Sequence, residues 1–165
     1  MISSIDILGM LANTDLTEVD TSYPILLGGT YEWEIKSAEK KTSDKSGGEY
    51  LLFSCALLSV GATDIAGNEI APGYQIRNMI NLSPSEKQID AKGEEQCAKD
   101  IIKDVCKFLD ALMEERVWDE TLETYIGMTF WAKTKVTKER TDKNTGDVYP
   151  PAADFASFIP KSEAA

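Results

Sequence analysis

Histidine is absent from the 165 residues, and with it go the commonest general base, the commonest zinc ligand and every Ser-His or Cys-His nucleophilic pair. Cysteine is scarce and odd in number. Cys55, Cys97 and Cys106 do not fall in a CxxC spacing, so neither a disulfide framework nor a zinc knuckle is expected, and buried thiols are. No run approaches the roughly 18 apolar residues of a membrane span, and Met1-Ile2-Ser3-Ser4-Ile5-Asp6 lacks the basic region of a signal peptide, which points to a cytoplasmic protein with no membrane partner. No GxxxxGK[ST], GxGxxG or GxSxG pattern occurs. Asp142-Lys143-Asn144-Thr145-Gly146-Asp147 has a faint look of a calcium loop, yet it lacks the closing glutamate and is explained by a hairpin turn. These absences lead us to expect no enzyme, no metal and no cofactor.

Positive charge is also in short supply: 17 bases face 28 acids, for a net −11. That total opposes binding to a phosphate backbone, but its distribution is uneven. Residues 1–29 carry four acids and no base, and residues 84–126 carry twelve acids and six bases. Residues 127–147 reverse the sign, with five bases against three acids. Acid is thus expected to gather on an N-terminal arm and on a helix, away from the strands.

What is present is mostly strand pattern. Residues 1–22 show short apolar runs without a sustained period and read as an acidic arm. From Thr30 to Lys40, Tyr31, Trp33 and Ile35 alternate with Glu32, Glu34 and Lys36, the period of a half-buried strand with its aromatics inward. Residues 42–48 supply hairpin chemistry before Tyr50 to Val60, a run apolar enough to be covered on both faces. After the turn residues of 61–73, a third strand runs from Tyr74 to Leu82, with Asn78 interrupting its inner face. Ile101, Val105, Phe108, Leu109 and Leu112 then fall at helical spacing within 96–115, and residues 119–125 suggest a further short turn of helix. Met128 to Arg140 alternates again, residues 141–147 form a second polar loop, and Val148 to Ile159 closes the series, demoted to an edge strand by Pro150-Pro151.

This order, β-β-β-α-β-β, predicts a mainly β chain with one main helix: a five-stranded OB-fold barrel over residues 23–160, preceded by the arm 1–22 and followed by a short tail 161–165. In that architecture the loops between strands 1–2 and 4–5 hold oligonucleotides or oligosaccharides. Here the first loop region brings Lys36, Lys40, Lys41 and Lys45, with Tyr50 behind it. The second brings Lys138, Arg140, Lys143 and Tyr149, and the outer face of the fourth strand brings Trp131 between Lys133 and Lys135. Arg77, outward on the third strand, extends the same path. Cations along a groove follow phosphates, and an exposed ring stacks on any base. Each of these residues has a plainer reading, as loop solubility for the lysines and, for Trp131, as a helix cap or part of a second small core.

Three stretches carry a family resemblance: Leu27-Gly28-Gly29-Thr30-Tyr31-Glu32-Trp33-Glu34-Ile35; Ser46-Gly47-Gly48-Glu49-Tyr50-Leu51-Leu52-Phe53; and Gly127 to Val136 followed by Phe155 to Pro160. In these the chain resembles short bacteriophage proteins, often encoded near recombination and replication genes, that are similar to single-stranded DNA-binding OB-fold proteins. The resemblance implies a largely sequence-independent binder of single-stranded DNA supporting phage DNA replication or recombination in the host cytoplasm, with replication or recombination proteins as further partners. The alternative is a protein-interaction or virion-structural β-barrel that uses its acidic helix and arm.

Overall fold

The computed structural model describes residues 2–18 and 23–164. Its body is a single five-stranded antiparallel sheet built from β1 (Thr30–Thr42), β2 (Glu49–Leu57), β5 (Gln75–Asn81), β6 (Thr129–Val136) and β9 (Ala153–Ile159), in the order β5-β2-β1-β6-β9. Two ribbons of two-residue strands decorate the connections, β3 (Ala62–Thr63) with β4 (Glu69–Ile70), and β7 (Arg140–Thr141) with β8 (Val148–Tyr149). The helices are α1 (Ser4–Asn13), α2 (Glu86–Lys92) and α3 (Glu94–Leu112), with a 3₁₀ turn at Leu122–Tyr125. The architecture is therefore mixed α/β around one β-rich sheet. Strands β5 and β9 approach one another at the two ends of the sheet, but no hydrogen-bonded ladder joins them. The expected closed barrel is thus not formed.

The central strand explains the curvature. β1 pairs with β6 through Thr30–Glu34 and with β2 from Trp33 to Thr42, and the second pairing contains a bulge between Ile35 and Ser37. The extra residue, Lys36, bends the strand and raises its twist, so one strand serves two partners. Gly28 and Gly29 dock the entry to β1 against β6. A Cβ on Gly28 would come within 3.2 Å of the Thr134 carbonyl oxygen, and the Thr134 N–H donates to the Gly29 carbonyl at 2.7 Å.

Inward-facing side chains alternate as the sequence predicts. Trp33, Ile35, Leu51, Phe53, Cys55, Leu57, Ile76, Ile80, Phe130 and Ala132 fill the concave side, and α3 closes it with Phe108, Leu109 and Leu112. Phe108 sits at the centre, 4.9 Å from the Phe53 ring, 5.3 Å from Phe130 and 5.0 Å from Phe158. β2 is covered on both faces as expected: Leu52 and Ala56, on the side away from α3, are also buried. Asn78 does interrupt the inner face, and its buried Nδ2 finds no hydrogen-bond partner.

Several boundaries differ from the sequence reading. The helix expected over 96–115 is α3, but α2 precedes it, capped by reciprocal bonds between Ser85 and Gln88. α2 has no buried residue, so no apolar stripe announced it. α1 arises within the predicted arm through a capping box between Ser3 and Asp6. It buries none of its residues. The fourth strand stops at Val136 rather than Arg140, because the chain leaves the main sheet there and resumes pairing in the β7–β8 ribbon. The last strand begins properly at Ala153, past Pro150-Pro151, and is an edge as predicted.

Candidate nucleic-acid interface

The 1–2 and 4–5 connections form two hairpin fingers closed by the same turn. In the first, the Ser43 N–H donates to the Gly48 carbonyl at 2.8 Å and the Gly47 N–H to the Ser43 carbonyl at 2.9 Å. In the second, Asp142 donates to Asp147 and Gly146 to Asp142, each at 2.8 Å. Both turns place a glycine at positive φ, Gly47 at 70° and Gly146 at 75°, where a side chain would be strained. The sequences match in kind: Thr42-Ser43-Asp44-Lys45-Ser46-Gly47-Gly48-Glu49-Tyr50 and Thr141-Asp142-Lys143-Asn144-Thr145-Gly146-Asp147-Val148-Tyr149. This equivalence was readable in the sequence and missed there, because the two stretches share turn chemistry and spacing rather than identity.

Each finger carries a tyrosine across from a cation. Tyr50 is the register partner of Lys41, and Tyr149 that of Arg140, whose guanidinium carbon lies 4.9 Å from the ring centroid. The tips are close enough to interact electrostatically. The Asp142 carboxyl is held below its ordinary range, first by the Asn144 backbone N–H at 2.8 Å and also by the charge of Lys45 on the other finger. Lys45 is thus within electrostatic reach of Asp142, without an ion pair between them among the described residues. Lys138, exposed, lies just before the second ribbon.

Behind the second finger, Trp131, Lys133 and Lys135 form a row on the face of β6 that points away from α3. Trp131 is half-buried. It pairs across with Glu32 on one side and Ile159 on the other and is not part of the main core. Lys133 and Lys135 are exposed, with Ser157 and Asp154 opposite them.

Some expected members do not join this group. Lys40 follows the bulge and so falls on the α3 side of β1, where it lines an apolar groove and pairs with Glu49 at 3.3 Å. The simple alternation from Tyr31 onward fails at that point, which sequence periodicity could not reveal. Arg77 lies on β5, exposed and opposite Ser54, with β2 and β1 between it and Trp131. It does not adjoin the Trp131 row. Acids share this surface although the charge distribution suggested that they avoid the strands: Glu32 and Glu34 lie outward as the alternation predicts, Glu32 facing Trp131 and Glu34 pairing with Lys36 at 3.1 Å, and Glu39 pairs with Lys41 at 3.3 Å. The cations with no ion-pair partner among the described residues are Lys45, Arg77, Lys133, Lys135, Lys138, Arg140 and Lys143, together with others away from this face.

Among the described residues, no group of His, Cys, Asp or Glu side chains is arranged to hold a metal ion, and no helix is long and apolar enough to cross a membrane. Of the three thiols, Cys55 and Cys97 are buried, and burial pushes Cys55 up to about 12. In comparison with known proteins, no family model matches the chain and no curated protein matches it.

Proposed function

We propose that the chain is an OB-type, largely sequence-independent single-stranded DNA-binding protein that acts in phage DNA replication or recombination, in the cytoplasm and without catalysis. The sheet order β5-β2-β1-β6-β9 supports the fold assignment, because these are the third, second, first, fourth and fifth strands of the body, with the two ends approaching and a helix between the third and fourth. The observation that carries the function is the pair of like-built fingers, each presenting a cation beside a tyrosine and each carrying a lysine in its turn.

Such a clamp suits a flexible anionic strand. Lys45, Lys143, Lys138 and Arg140 supply sites for successive phosphates, while Tyr149, Tyr50 and Trp131 offer ring faces on which bases of any identity stack. The row Lys133–Lys135 extends the cationic path along β6. The glutamates interleaved with these cations, Glu32 opposite Trp131 and Glu39 beside Lys41, limit the affinity. Partner enzymes of replication or recombination would then meet the acidic faces of α2 and α3.

A second reading, a protein-interaction or virion-structural barrel, draws on those same glutamates and on the exposed apolar residues of α1. A titration with oligo-dT at low salt separates the two. In a Trp118→Phe variant, which leaves the buried Trp33 and the half-buried Trp131, nucleic-acid binding quenches the remaining emission and shifts the oligonucleotide on a gel. Unchanged emission with excess oligonucleotide rejects the DNA-binding reading in favour of the second.

A further inference from the structure

Where β5 and β9 approach without pairing, they leave a cavity of about 850 Å³ at the seam of the sheet. Asn78 to Asn81 of β5 and Ala156 to Phe158 of β9 form two of its walls, and α3 supplies a third through Cys97, Ile101 and Asp104. Gln88 and Lys92 of α2, with Pro84 just before that helix, complete the lining. The cavity is distinct from the apolar groove beside Trp118, with which it shares only Ile101.

α2 is joined to the body loosely. None of its residues is buried, and only Ile89 is half-buried. Gln88 and Lys92, four residues apart, share one helical face, so the face turned to the cavity is polar. Both ends are satisfied inside the element: Ser85 and Gln88 bond each other reciprocally, and the Gly93 N–H donates to the Ile89 carbonyl at 2.7 Å. The helix can therefore move as a unit without giving up its own hydrogen bonds. Among the described residues, a single ion pair ties it to α3, Lys92 with Asp100 at 3.3 Å, and both side chains are well exposed. Such a pair holds weakly. The pivot is Gly93, which ends α2 and precedes α3. Its φ of 85° and ψ of 154° lie in a region open essentially to glycine alone, and a Cβ there would meet nothing within 4 Å, so the space around the pivot is free.

We propose that α2 is a hinged lid on the cavity between β5 and β9, swinging on Gly93 while the sheet and α3 stay folded. Hinges of this kind are a few residues at element ends that absorb the change in backbone angles. Cys97 reports the motion: it is 5% exposed, lines the cavity and lies one helical turn past the pivot. The open state uncovers its thiol. Cys55, 0% exposed within the sheet core, is uncovered only by global unfolding.

The test is independent of nucleic acid. Alkylation by iodoacetamide is followed in a Cys106→Ser variant, with mass spectrometry of the peptides separating the two remaining thiols. Cys97 should react more slowly than a free cysteine but at least about a hundredfold faster than Cys55, and its rate should stay flat in urea below the unfolding transition while that of Cys55 climbs. Lys92→Ala, which frees the lid, should raise the Cys97 rate about two- to fivefold, whereas Lys99→Ala, which removes a pair with Glu95 inside α3, should leave it unchanged. The backbone amides of Ile101 to Val105 should stay protected from hydrogen exchange over the same period. The proposal is overturned if Cys97 and Cys55 react together, if Cys97 reacts as fast as a free thiol, if the Lys92 variant matches its parent, or if the α3 amides exchange as Cys97 reacts.

Discussion

Trp131 is the residue on which base stacking would depend most. Its half-buried indole stands on the outer side of β6, free of the core that Trp33 and Phe130 build on the other side of the sheet. Trp131→Ala should leave the thermal unfolding midpoint nearly unchanged and reduce affinity for oligo-dT by about 1–3 kcal/mol, measured by fluorescence anisotropy of a labelled oligonucleotide. Replacing Lys133 and Lys135 together with alanine should instead flatten the dependence of log K on log salt by about 1.4, since each lost single-strand phosphate contact removes about 0.7. The core provides the contrast. Phe108→Ala, which empties the space between Phe53, Phe130 and Phe158, should cost about 3–5 kcal/mol in denaturant unfolding while leaving Trp131, Lys133 and Lys135 on the outer face of β6.

At the scale of elements, the fingers depend on their turns. The Asp142 carboxylate accepts from Asn144 and Thr145 and is held below its ordinary value, so it contributes stability that is present above the unfolded carboxylate range and is lost as pH falls through its folded value. Acidification below about pH 4 should therefore release the 142–147 turn before the sheet melts, seen as early loss of protection at the Asn144 and Thr145 amides in NMR. Strands were legible to the extent that alternation decides a face. Tyr31, Trp33 and Ile35 fall inward as read, and Pro150-Pro151 marks an edge. The bulge at Lys36 was not legible, because an inserted residue leaves the local pattern intact while reversing everything beyond it. That reversal moved Lys40 off the expected surface. α2 escaped for a different reason: a solvated helix has no apolar period to read, and only its Ser85–Gln88 cap marks it. α1 had its signal in Ser3 and Asp6, masked by apolar residues on nearly every side.

The whole molecule interleaves acids with the cations of its fingers: Lys45 stands with Asp44 and Glu49, and Lys143 with Asp142 and Asp147, while Lys133 and Lys135 on β6 have no ion-pair partner among the described residues. Its net charge of −11 would keep a nucleic acid from the helical side and orient the strand toward β6 and the finger tips. The uneven distribution of bases showed this division in advance only coarsely. It located the basic stretch 127–147; alternation put Glu32 and Glu34 outward beside Lys36, but Glu39 joined that face only through the bulge, because the face beyond it is set by register rather than by composition. The central claim is that one surface, made by the two fingers and β6, holds the strand. Ultraviolet cross-linking of a bromodeoxyuridine-substituted single strand, followed by mass spectrometry of the peptides, tests it most directly. Adducts should fall on the peptides containing Tyr50, Trp131 and Tyr149 and disappear at high salt; adducts confined to the Trp118 peptide of the apolar groove, or none at low salt, would contradict it.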